Sequence, residues 1–355
     1  MEPQESSFGR FLAKSPSVTL SGLHGRTYAP FAVIVKAFGR PECYQGHMAI
    51  SRIVSIDGGG VRGVIPVVLL QRICKEAGIE DCIERTHLIA GTSTGGLIAL
   101  GVAGGLDLEV LRELYERRSA RVFHDSLLDD IFDLGKVFGA DYDIANLRRE
   151  LDDVFGGLTL AALTKRVVVA SFDLDNEDPV RRTWKPKIFH NFPGPDSDGE
   201  QLAAAVGTYT SAAPTYFQSA DGFIDGGVFA ANPSMCAIAQ TQDPRIPPDE
   251  RADLSELRLL SLGTGRSLTY LEGESLDWGY FQWVRPLISI MLDGVNGIVD
   301  YQCRQILDQH YHRVAPTFPP GTNIGMDDVA RIPWMIDFAQ SLDISDTVAW
   351  IRENW

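Results

Sequence analysis

Arg52-Ile53-Val54-Ser55-Ile56-Asp57-Gly58-Gly59-Gly60-Val61-Arg62-Gly63 is the stretch on which the fold turns. Its first five residues are a short apolar strand. The glycine run breaks that strand, and Val64–Ala77 then carries Val64, Val67, Val68, Leu69, Ile73 and Ala77 at helical spacing, ending near Gly78. Strand, glycine turn and helix in that order put backbone N–H groups at a helix N-terminus, where they face an anion. Three readings remain open at this point. Gly58–Gly63 satisfies G-x-G-x-x-G, with Glu84 at about the ~20-residue spacing of a ribose-binding carboxylate, so Gly58, Gly60 and Gly63 could hold a dinucleotide. The same N–H groups could instead face a developing oxyanion, since no side chain blocks the approach. The turn could also be structural only.

The pattern repeats downstream. His87–Ala90 is a second buried strand, Gly91-Thr92-Ser93-Thr94-Gly95-Gly96 follows, and Leu97–Ala103 is an apolar helix. G-x-S-x-G between strand and helix is the setting of a nucleophile elbow, a sharp turn that lifts the serine hydroxyl above the sheet edge. Glycines two before and two after Ser93 relieve its crowding, and the dipole of the helix beginning at Thr94 favours negative charge there. A dinucleotide-binding protein has no need of this second turn. A hydrolase needs both an oxyanion loop and a nucleophile.

A serine hydroxyl needs a base. Asp225-Gly226-Gly227, at the end of a short strand over Gly222–Ile224, offers a carboxylate, although D-G alone is an ordinary turn. Histidine is the rival. His310 and His312 follow Asp225 and would complete the order Ser…Asp…His of an α/β-hydrolase triad. His24, His47, His87, His124 and His190 have no motif around them.

Taken together, these motifs resemble the patatin-like phospholipases. Asp57–Gly63 is similar to that family's D-G-G-G-x-[KR]-G, and Gly91–Gly96 to its G-T-S-x-G-G. Ser211-Ala212-Ala213-Pro214-Thr215-Tyr216-Phe217 resembles its S-A-A-P-x-Y-F block, Asp225–Gly227 with Asn232-Pro233 its D-G-G…N-P segment, and Ser261–Gly265 its late S-L-G-T-G loop. Ala231 stands where many relatives carry asparagine. The resemblance covers roughly residues 51–265. It implies a three-layer α/β/α fold and a serine–aspartate dyad, with Ser93 as nucleophile, Asp225 as base and no catalytic histidine. It implies an oxyanion hole from the N–H groups of Gly58, Gly59 and Gly60, with Arg62 steadying that loop or a bound phosphate. It implies hydrolysis of lipid acyl esters with neither metal nor cofactor. A compact patatin with an added helical tail also resembles the bacterial anti-phage phospholipase effectors, which implies a cyclic dinucleotide as activator, although no nucleotide-binding motif is visible. A scaffold that only binds partners remains the other class, against which the intact Ser93 and Asp225 argue.

Elsewhere strands alternate with helices, which implies a mostly parallel sheet wrapped by helices. Leu106–Ser119, Asp143–Phe155 and Pro233–Gln242 read as helices, and Arg166–Leu174, Thr183–Phe192 and Leu257–Leu262 as strands. Asp277–Asp308 reads as helix, as does Val329–Trp355 with a break near Pro333. Residues 1–47 lack periodicity, and Gly46-His47-Met48 resembles an engineered junction. They read as an extension preceding one catalytic domain, 48–355. Five cysteines without CxxC spacing read as reduced thiols in a cytoplasmic protein. No apolar run approaches the ~20 residues of a spanning helix. With 32 Lys+Arg against 47 Asp+Glu the chain carries −15, which excludes nucleic-acid binding by bulk charge. The same charge leaves apolar contact as the route by which a lipid hydrolase reaches a membrane surface. Phe123, Leu127, Leu128, Ile131 and Phe132, and Trp278, Tyr280, Phe281, Trp283, Leu287, Ile288, Ile290 and Met291, read either as core or as an acyl groove or lid. A homo-oligomer is compatible with all of this.

Overall fold

The computed structural model describes residues 51–123, 140–248, 251–273 and 275–355. The expected extension 1–47, together with Leu127, Leu128, Ile131 and Phe132, lies outside them. Strands β1 (Arg52–Ile56), β2 (Leu88–Thr92), β3 (Arg166–Asp173), β4 (Lys185–His190), β5 (Phe223–Asp225), β6 (Arg258–Leu262) and β7 (Tyr311–Val314) form one sheet. The order is β4-β3-β2-β1-β6-β7. β1, β2, β3, β6 and β7 run parallel, while β4 and β5 pair antiparallel with β3.

The central strands are largely apolar because both faces of the sheet are covered. Successive side chains point to opposite sides, and the core divides accordingly. Val54, Ile56, Ile89, Val167, Val169, Leu260 and Leu262 belong to one buried cluster, and Ile53, Leu88, Ala90, Val168 and Leu259 to another. The first cluster is closed by α1 (Val64–Ala77), α2 (Thr94–Ala103), α3 (Leu108–Val122), α4 (Ile144–Phe155) and α5 (Ala203–Ser211). The second is closed by residues that follow the one-turn helix α6 (Gly227–Ala230), from α7 (Ser234–Thr241) and α8 (Tyr280–Leu307). This is the three-layer α/β/α arrangement that the resemblance implied.

The tail differs from expectation in one detail. Its break falls at residues 342–344, between α9 (Ile332–Ser341) and α10 (Ser345–Asn354), and not at Pro333. Pro333 sits in the first turn of α9, where a missing N–H removes no helical hydrogen bond. Both helices pack on α1. The C-terminal Trp355 is buried, and its indole N–H donates to the Cys82 carbonyl at 3.0 Å.

Because Trp355 is a core residue at the end of the chain, Trp355→Ala should destabilise the protein by about 3–5 kcal/mol in urea unfolding. A loss of under about 1 kcal/mol would mean that the tail is not part of the cooperative unit.

Candidate active site

Sheet register brings the two candidate catalytic residues together. β2 pairs with β3 as far as Thr92 opposite Ala170. β5 then takes over the same edge of β3, with Asp225 opposite the next residue, Ser171. The chain leaving β2 at Ser93 therefore meets the carboxylate at the end of β5, although 132 residues separate them in sequence. The Ser93 hydroxyl faces the Asp225 carboxylate, close enough to hold its pKa down. The Gly227 N–H donates to Oδ1 of Asp225 at 2.7 Å.

Ser93 adopts φ 55° and ψ −126°, a conformation that costs a side-chain-bearing residue of order 1–3 kcal/mol. Surrounding contacts hold it there. The Ser93 N–H donates to Thr210 Oγ1 at 2.8 Å, and that hydroxyl donates in turn to the Ala170 carbonyl at 2.5 Å. A Cβ on Gly91 would lie 2.1 Å from the Gly95 carbonyl oxygen, and one on Gly95 would lie 2.1 Å from that of Ile56. Only glycine fits either place. α2 begins at Thr94, so its positive end lies beside the hydroxyl.

The glycine loop lies against this elbow. A Cβ on Gly58 would stand 3.3 Å from Ser93 Cβ. The Gly58 N–H donates to the Ala231 carbonyl at 2.9 Å, which corrects the expectation that it serves the oxyanion hole. Among the described residues the N–H groups of Gly59 and Gly60 have no such backbone acceptor. Ala231 contributes its backbone here, which explains why alanine suffices at a position where asparagine is usual.

Three segments distant in sequence fix the loop. From the late S-L-G-T-G motif, Thr264 Oγ1 donates to the Gly58 carbonyl at 2.7 Å. From the tail, the Met326 carbonyl accepts the Val61 N–H at 2.8 Å and leaves no room for a side chain on Gly60, which has φ 58°. Arg313 on β7 grips Asp57 with both ends of its guanidinium, at 3.2 and 2.5 Å, and Nη1 also donates to Ser261 Oγ at 2.6 Å. Both charged side chains are buried. Burial pulls the Arg313 pKa down, but the charge and hydrogen bonds of Asp57 outweigh it and raise it above the usual range. Ser261 continues through Ser234 Oγ, 3.2 Å away, to Ser55 Oγ and Asn232 Oδ1. Arg62 is used locally, its Nε donating to the Gly59 carbonyl at 3.3 Å.

Sequence reasoning missed Thr210, Arg313 and Met326. Arg313 left a signal, because an arginine inside a short strand of a covered sheet needs a buried partner. The Met326 carbonyl left none.

The histidine alternative fails on position. His312 Nε2 pairs with Thr347 Oγ1 at 2.9 Å and the ring stacks on Trp350. His310 lies in the turn that precedes β7, at the opposite sheet edge from Ser93. Among the described residues that line the cavity above Ser93, none is histidine. The ribose role for Glu84 fails similarly. It precedes β2, at the far end of the parallel strands from the glycine loop.

That cavity, about 920 Å³, joins Ser93, Asp225 and Gly58–Gly60 to an apolar arm between α2, α3 and α4 that includes Leu97, Leu114, Val122, Phe123, Leu151 and Phe155. Among the described residues no cluster of His, Cys, Asp and Glu could hold a metal ion. Burial lifts Asp225 to a pKa of about 6, against the opposing hydrogen bonds from Ser93 and Gly227.

The patatin-like phospholipase family model matches residues 54–238, from β1 to α7, and so includes every feature of this site but the late clamps. The chain belongs to the patatin-like phospholipase family. Among similar proteins, the putative sporulation hydrolase CotR of Bacillus subtilis is 28% identical over 87% of this chain and 99% of its own length. A cGAMP-activated phospholipase of Pseudomonas aeruginosa is 28% identical over 79% of this chain and 82% of its own. Patatin-2-Kuras 2 of Solanum tuberosum is 27% identical, with 79% coverage of each. Membership of a hydrolase family makes an enzyme of this patatin-like protein.

The buried ion pair should be indispensable to the loop. Arg313→Met leaves Asp57 buried without a partner and should cost about 3–5 kcal/mol in urea unfolding. A change within about 0.5 kcal/mol would show that the pair anchors nothing.

Proposed function

We propose that this protein is a phospholipase A-type lipid acyl hydrolase working through a Ser93–Asp225 dyad and an acyl-enzyme. One observation carries the reading: a hydroxyl on a strained elbow facing a buried carboxylate whose pKa is set by burial, by that hydroxyl and by the Gly227 N–H.

Asp225 takes the proton from Ser93 Oγ as that oxygen attacks the ester carbonyl carbon. The negative charge moves to the carbonyl oxygen, which the N–H groups of Gly59 and Gly60 and the α2 N-terminus stabilise. Collapse of the intermediate breaks the bond to the lysolipid oxygen, and that oxygen takes the proton from Asp225. Water then gives a proton to Asp225 and attacks the acyl-enzyme. When this second intermediate collapses, the proton returns to Ser93 and the fatty acid leaves. A carboxylate at its ordinary pKa is a poor base for this step. Burial that raises Asp225 to about 6 improves it and leaves it ionised at neutral pH. The apolar arm of the cavity suits an acyl chain. Arg62, fixed on the loop, lies where an ester phosphate would approach.

Ser93→Ala should reduce phospholipid hydrolysis to background, and Asp225→Asn should lower kcat by about 10²–10⁴-fold. His310→Ala and His312→Ala should remain active, because neither ring reaches the site. Loss of activity in a histidine variant alone would overturn the dyad. The base works only when deprotonated, so kcat/KM should rise with pH through a single ionisation near 6 and level off above it. A rate that falls across that range contradicts the assignment.

The relative named a cGAMP-activated phospholipase makes a cyclic dinucleotide the activator to test first. If this chain is switched in the same way, purified protein should be nearly inert on phospholipid vesicles until cGAMP is added. High hydrolysis without it, unchanged by cGAMP, contradicts that regulation while leaving the dyad intact.

A further inference from the structure

The catalytic residues leave the sheet at one edge, the C-terminal ends of β1 and β2. Because the strands are parallel, the chain following β3 and the chain following β6 leave by the same edge, on either side of the pair that carries Gly58–Gly60 and Ser93. Both carry apolar side chains that are largely exposed among the described residues. In the hairpin between β3 and β4, Val180 is 86% and Trp184 70% exposed. After β6, Ser267 and Thr269 line the catalytic cavity while the alternate residues Leu268 and Tyr270 point outward, Tyr270 at 86% exposure.

Helix α8 adds a third element. Its 28 residues span about 42 Å, whereas five-residue β6 spans about 17 Å. The helix must end at the opposite edge, because β7 begins there, with Tyr311 beside Leu259. Its N-terminal half therefore overhangs the catalytic edge. Buried Val299, Cys303 and Leu307 anchor the other half. On the overhanging half Ile290 and Met291 are exposed, and Met291 also lines the cavity. These positions are therefore not core, which settles for them the alternative left open by the sequence.

We propose that this rim is the face that seats the enzyme on a bilayer, with the cavity mouth opening into the lipid. The inference rests on the acyl-hydrolase reading and names the surface it requires. The occupant follows from two observations. After β6 and on α8 the exposed apolar residues lie beside residues that line the cavity, Leu268 and Tyr270 beside Ser267 and Thr269 and Ile290 beside Ser289 and Met291, so there the docking surface is continuous with the lipid-binding space. Charge on the rim is mixed, with Arg181 and Lys185 beside Glu177 and Asp178 in the β3–β4 hairpin and Glu272 in the segment after β6, on a chain of net −15. Such a face has no attraction for an anionic surface and suits a zwitterionic one, entered by aromatic and aliphatic side chains.

Binding is measured in the Ser93→Ala background, where no lipid is consumed, by co-sedimentation with phosphatidylcholine vesicles. Trp184→Ser, Tyr270→Ser and Ile290→Ser together should weaken partitioning by about tenfold or more, with an unchanged thermal midpoint as the check on folding. Leu254→Ser removes an exposed leucine just before β6, at the opposite edge, and should leave partitioning unchanged. Added salt should have little effect. The proposal is overturned if the triple variant binds like its parent, if Leu254→Ser weakens binding as much, or if salt abolishes it. It is also overturned if sedimentation shows a dimer that the triple variant dissociates, since the rim would then be occupied by a second copy. Turnover does not enter this assay, so an absence of ester hydrolysis in the unsubstituted protein would sink the acyl-hydrolase reading on separate evidence.

Discussion

Two glycine turns meet backbone to backbone, and the site depends on that contact. The elbow packs backbone to backbone on the end of β1 that leads into the glycine loop, and the loop in turn packs on the late S-L-G-T-G segment: a Cβ on Gly95 would lie 2.1 Å from the Ile56 carbonyl oxygen, and one on Gly59 would lie 2.2 Å from Thr264 Oγ1. This closeness puts the Gly58–Gly60 loop beside Ser93. It also means that the loop cannot be held by its own side chains. The fold holds it from outside, through Ala231, Thr264, Met326 and the Arg313–Asp57 pair.

Much of this was legible in the sequence because it is local. Glycine spacing around Ser93 marks a turn that only glycine permits, and β-branched runs bounded by glycine mark buried parallel strands. Asp225 could be named from its motif, but the reason it meets Ser93 lies in register, since β5 continues the edge of β3 where β2 stops. The histidines at 310 and 312 illustrate the opposite case. Their order along the chain fits a triad, yet β7 lies on the far side of β6 from β1, and His312 faces Thr347 and Trp350.

What the sequence did not disclose is long-range or made of backbone. Met326 acts through its carbonyl, which no residue type announces. Gly58 looked equivalent to its two neighbours until its N–H was found directed at Ala231. The apolar residues of α8 could be read as core or as surface, since periodicity records one apolar face and not what lies against it. Here the helix is longer than the sheet is deep, and the surplus length leaves Leu287, Ile290 and Met291 uncovered beyond the catalytic edge.

The central claim is that Ser93 is a nucleophile activated by a buried carboxylate. Labelling with a fluorophosphonate, followed by peptide mapping, tests it most directly. The account predicts one adduct, on Ser93, formed far more slowly in Asp225→Asn and with a rate that rises through pH 6. An unlabelled Ser93 in folded protein, or an adduct on another serine, would contradict it.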